Sequence, residues 1–91
     1  MSQPVAEVGA YKNMTATGDV TTGPCQLIGF YVNSTSSGTV VLKDGGSSGT
    51  VISGTITPAI GFHRYPATVG TSLHFTEGGT IDITFFFAAG F

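Results

Sequence analysis

Residues 80–87 read TIDITFFF, and the parity of that run decides the fold. Successive side chains of a strand point to opposite faces. Ile81, Ile83, Phe85 and Phe87 therefore share one face, and Thr80, Asp82, Thr84 and Phe86 share the other. The first row is wholly apolar and is expected to be core. The second mixes hydroxyls and a carboxylate with one phenylalanine, and leaving Phe86 in water forgoes roughly 1.5–3 kcal/mol relative to burying it.

The same split appears in CQLIGFYVN, residues 25–33. Strict alternation places Ile28, Phe30 and Val32 on one face and Leu27 and Tyr31 on the other. A chain of 91 residues has room for one core, so a surplus apolar face is expected to pack on another subunit. Leu27, Tyr31, Phe86 and the last residue, Phe91, are the candidate interface residues.

Outward from these two runs the chain reads as short strands and turns. STSSG at 34–38 has the small polar residues of a loop, and TVVLKD at 39–44 is a strand. Asp44-Gly45-Gly46 supplies the positive φ angles of a tight hairpin, with Asp44 bonding amides in that turn, and GTVISGTI runs back from Gly49. Gly54 within it marks a bulge or a close backbone approach. IGFHRYP at 60–66 is a strand ending at Pro66, which places it at an edge or corner; ATVG is a turn, and SLHFTE a further strand. Gly78-Gly79 is another hairpin signal.

Residues 10–17 give a first strand ended by Gly18 and Asp19. Residues 1–9 form an extended N-terminal arm in which Gln3, Pro4, Val5 and Val8 are the candidate contacts with a neighbour. No window has apolar residues at helical spacing, and the 14 glycines are too dense for helix interiors. The expected fold is all-β: a single domain over residues 10–91, a small antiparallel β-sandwich or jelly-roll-like barrel of about seven or eight short strands.

Charged residues are 9% of the chain against about 25% in ordinary soluble domains. Three Lys plus Arg against five Asp plus Glu leave no basic stripe for a phosphate backbone, which argues against nucleic acid as a partner. So few charges give little repulsion between copies, which favours an oligomer. No apolar run is long enough to span a bilayer as a helix, and no basic region followed by an apolar core opens the chain, so cytosolic synthesis and no membrane partner are expected.

Little here carries chemistry. The five carboxylates do not pair at a spacing suited to acid–base work. Asp82 is expected to be solvated or at an interface, with a salt bridge to Arg64 or Lys43 as one use. Cys25 is the only cysteine and reads as a buried thiol; a nucleophile would need His63 or His74 beside it. The two histidines lack the companions of a structural zinc site, and DGGSSGT lacks the lysine and following helix of a phosphate loop. Neither a cofactor nor an enzymatic activity is expected. Phe62, His63, Arg64 and Tyr65 place two aromatics beside a cation and an imidazole, a candidate sugar-stacking or partner patch, against the plainer reading of an edge strand with its aromatics packed inward.

The order QLIGFYVN, a small polar loop, GTVVLKDGGSSGTVI, RYPATVG and GGTIDITFFF resembles a group of small structural proteins of tailed bacteriophages. The likeness runs over residues 25–87, and its most specific parts are TVxLxDG at 39–45 and GTxDIT at 79–84. In the family pattern a large apolar residue and a leucine flank the glycine after the proline. Here Leu73 is displaced within PATVGTSLHF, so that sheet edge is expected to be built differently. The resemblance implies a β-sandwich or jelly-roll-like module, often trimeric, used as a capsid decoration (cement) protein or as a module of tails and fibres. It implies a virion component and not a particular position in the virion; the preferred expectation is a homotrimer on the lattice of the major capsid protein, at the capsid surface, with a receptor- or carbohydrate-binding knob of a tail or head fibre as the alternative.

Overall fold

The computed structural model describes residues 10–89, and over them the chain is all-β and antiparallel. The arm residues Gln3, Pro4, Val5 and Val8, and Phe91, lie outside the described residues. Six strands form one sheet: β1 (Ala10–Met14), β2 (Gly18–Asp19), β3 (Cys25–Asp44), β4 (Thr50–Val51), β5 (Gly61–Val69) and β6 (Leu73–Ala89).

Two of these strands are far longer than the sequence suggests. β3 runs through STSSG, expected to be a loop, and β6 runs through Gly78-Gly79, expected to be a hairpin. They pair with each other from Cys25↔Ala89 to Asp44↔Leu73. The register slips between Val32 and Ser34 and between Ser36 and Thr39, opposite Asp82 to Gly78. Ser37 (φ 56°) and Gly79 (φ 65°) take left-handed conformations there. Small residues and positive φ serve a bulge in a continuous ladder as well as they serve a hairpin, which is why the two are confused in the sequence. β5 likewise runs through Pro66 and ATV instead of stopping, on an edge where a missing N–H costs no ladder bond. The strand expected over GTVISGTI shrinks to β4, after which Ser53 Oγ accepts from Leu42 N (3.0 Å) and Val40 bridges Ile56.

The ladder folds back on itself at the slips. Phe75 and Phe85 both lie on β6, ten residues apart, a distance of roughly 33 Å on a straight strand, yet their ring centroids are 5.3 Å apart. One half of the sheet has the order β1-β6-β3-β5 and the other the order β2-β6-β3-β4. The two halves share a core of Leu27, Phe30, Val32, Val40 and Leu42 from β3 and Leu73, Phe75, Ile81, Ile83, Phe85 and Phe87 from β6, closed by Met14, Val20, Cys25 and Val69. The row Ile81, Ile83, Phe85 and Phe87 is buried, as its parity requires.

Leu27 corrects the sequence reading. It is 2% exposed and packs in the core, not on the outward face. Against β6 the register jumps from Leu27↔Phe87 to Gly29↔Phe86, so Ile28 is an extra residue and the alternation resets there. Leu27, Phe30 and Val32 point inward, while Ile28 and Tyr31 turn outward. Asp44 is also placed differently. Its carboxylate accepts from the amides of Gly70 (2.9 Å), Thr71 (2.9 Å) and Ser72 (3.3 Å), tying the β5–β6 turn to the end of β3, instead of capping its own Gly-Gly turn.

Candidate functional site: an aromatic outer face

Strand registry brings the outward side chains of β1, β6, β3 and β5 into cross-strand rows. Tyr11, Phe86, Gly29 and Arg64 form one row; Asn13, Thr84, Tyr31 and Phe62 form the next. Tyr11 is 73%, Phe62 51% and Tyr31 42% exposed. Ile28, Tyr31, Phe62, Arg64 and Phe86 line a shallow depression of about 390 Å³. Its floor is Gly29, where an added methyl group would collide with the carbonyl oxygen of His63 and sit 3.0 Å from the Phe62 ring. Phe62 and Phe86 rings face each other across that floor at 6.2 Å and 55°, the tilted arrangement that aromatic quadrupoles favour.

A polar cluster drawn from β1, β6 and β3 borders the aromatics. Asn13 Nδ2 donates to Asp82 Oδ1 (2.7 Å) and Thr84 Oγ1 (3.1 Å), and Asn33 Nδ2 donates to the same two atoms at 3.2 and 3.1 Å. Both amides spend their N–H groups inward. Their carbonyl oxygens and Asp82 Oδ2 receive no hydrogen bond among the described residues, which leaves a patch of fixed acceptors.

The four residues 62–65 separate by alternation. Phe62 and Arg64 belong to the outer face, whereas His63 and Tyr65 turn toward Phe30, with ring centroids at 5.4 and 6.5 Å. Tyr65 packs on the core, and His63 Nε2 bonds Ala59 O at 2.8 Å. Two groups of residues that the sequence treats as alternatives, Tyr31 with Phe86 and Phe62 with Arg64, thus meet on one surface. Tyr11, Ile28, Asn13, Asn33 and Asp82 join them. For Tyr11 and Asn13 the signal is present in AYKNM, where the odd positions share a face; for Ile28 the bulge hides it.

Elsewhere, several polar groups tie strands together, while His74 Nε2 and Thr76 Oγ1 are buried with no hydrogen-bond partner among the described residues. The buried His74 bonds Asp19 Oδ1 through Nδ1 at 2.8 Å, fastening β2 to β6. The Cys25 thiol is fully buried, which pushes its pKa up, and Thr21 Oγ1 donates to its sulfur at 3.8 Å. No hydrogen bond among the described residues joins Cys25 to either histidine. No group of three or more His, Cys, Asp or Glu among the described residues is arranged to hold a metal ion, and there is among them no helix long and apolar enough to cross a membrane.

No family model, curated protein or solved structure matches this chain.

Proposed function

We propose that this chain is a virion structural protein of a tailed phage, a homotrimeric capsid decoration protein that binds and stabilises the lattice of the major capsid protein. The observation that carries the reading is the aromatic outer face, a second apolar surface that the chain's own core leaves uncovered. In a chain with 9% charged residues, such a face favours permanent association. The folded-over sheet is compatible with the small β-sandwich that the sequence resemblance implies. On this reading Tyr31 and Phe86 face neighbouring subunits, Phe91 joins them, and Gln3, Pro4, Val5 and Val8 reach the capsid. Each contact is weak alone and is multiplied by three copies, so avidity supplies the grip. The protein then resides at the capsid surface after synthesis in the host cytoplasm.

The test is copy number. Quantified against the major capsid protein in purified virions, a decoration protein is expected at one copy or so per capsid subunit position it caps. A few copies per particle would sink the reading. That second outcome fits a fibre or tail knob, which one observation favours: Phe62, Arg64 and Tyr31 stand together on an open face, as stacking and hydrogen bonding to a sugar require. Binding to a glycan array that disappears in Arg64→Ala and Phe62→Ala would establish the knob.

A further inference from the structure

We infer that Arg64 of one copy docks into the acceptor cluster of Asn13, Asn33 and Asp82 on the next copy, so that subunits join edge to edge with their aromatic faces turned toward a common axis. The inference rests on the assembly part of the proposed function and names the contact that would build it.

Arg64 is exposed and makes no hydrogen bond or ion pair among the described residues. A guanidinium carries five N–H donors and no acceptor. The Asn13–Asn33–Asp82 cluster is its complement: a carboxylate and two amide oxygens held in place by their own hydrogen bonds, with unfilled acceptor sites and no cation against them. Within one chain the two cannot meet. Arg64 pairs through Gly29 to Phe86, and Asp82 lies four residues further along β6, which puts them about 17 Å apart on a pleated sheet. Arg64 stands on the edge strand β5, whereas the cluster spans Asn13 on β1, Asp82 on β6 and Asn33 on β3 further along the sheet toward the bend, with Tyr31 between them.

Complementary groups at separate places on one surface make a head-to-tail contact, which closes into a ring where the rotation between copies closes. In such a ring Tyr31, Phe62 and Phe86 of each copy turn inward, and each Arg64 meets the neighbour's carboxylate at the rim of an apolar interior. The shielded site strengthens the ion pair relative to one in bulk water. Planar, bidentate recognition also explains arginine at this position, since a lysine would engage the three acceptors as a point charge only.

Sedimentation velocity and native mass spectrometry of the whole chain test this. The wild type is expected to be a closed oligomer, Arg64→Asp to dissociate at concentrations about tenfold or more above the wild-type value, and the swap Arg64→Asp with Asp82→Arg to recover assembly. Asp82→Asn keeps the shape of the cluster and is expected to weaken assembly in the same direction, which decides the matter should the swapped chain fail to fold. An assembled wild type indifferent to Arg64→Asp and Asp82→Asn would overturn this contact while leaving the assembly reading intact. A wild type monomeric at every concentration would overturn both, and glycan binding by that monomer would assign the face to a sugar.

Discussion

Asp44 shows how one side chain can hold together parts of the chain distant in sequence. Its carboxylate gathers three amides of the β5–β6 turn, and those bonds hold its pKa below the ordinary value of 3.8. A depressed carboxylate pKa contributes stability that is present above the unfolded-state value and lost as pH falls through the folded-state value. Thermal midpoints of the wild type should therefore decline in acid below about pH 4. Asp44→Asn should be less stable than the wild type at neutral pH, with the gap closing in acid; parallel curves would show that the bonds contribute nothing. Gly38 is the other telling residue. A β-carbon there would sit 2.7 Å from Ile81 Cβ and 2.8 Å from Thr80 O, so Gly38→Ala should cost about 1–3 kcal/mol in chemical denaturation. From sequence alone, Gly38 reads only as the end of a polar loop, because close approach of a strand opposite it is a tertiary fact.

At the scale of elements, alternation was readable wherever the ladder is regular. The inward row of β6 follows directly from TIDITFFF, and the positive φ of Gly45 and Gly46 follows from Asp-Gly-Gly. Legibility failed at the bulges. One extra residue at Ile28 exchanged Leu27 and Ile28 between faces, and the slips at 33–38 let two expected strands fuse into β3. The sequence marks such places with small residues and glycine but does not say whether the chain turns back or merely bends. The exchange is testable. Leu27→Ala should cost about 2–5 kcal/mol of stability, as a core truncation does. Tyr31→Ala, measured where the chain is dissociated, should cost less than about 1 kcal/mol while weakening assembly. Equal losses of stability would mean that both residues are core.

For the whole molecule, the outer face was legible only in pieces. Phe86, Tyr31, Phe62 and Arg64 were each conspicuous, but their meeting depends on β5 pairing with β3 across more than 30 residues of sequence and on β3 pairing with β6 across more than 50. The acceptor cluster needed Asn13 brought beside Asp82 by β1, a pairing that short polar AYKNM does not announce. Salt provides a check at this scale. If an ion pair at the rim closes the ring, raising ionic strength should shift assembly toward smaller species; assembly unchanged or strengthened by salt would point to apolar contacts alone.

The continuous β3–β6 ladder also orders events in time. Its Asp44–Leu73 end closes a loop of about 28 residues and its Cys25–Ala89 end one of about 63, a difference worth about 0.7 kcal/mol of closure entropy in favour of the shorter. Pairing is expected to nucleate beside the Asp44 latch and zip toward the bend, where Ser37 must reach its left-handed state before the far half can dock. Leu42→Ala should then slow folding, and Phe87→Leu should chiefly hasten unfolding; the reverse pattern would place the nucleus at the other end. Since the aromatic face is built wholly beyond the bend, it comes into being last. On the proposed assembly, a nascent chain would thereby be kept from joining its neighbours until its own core has closed.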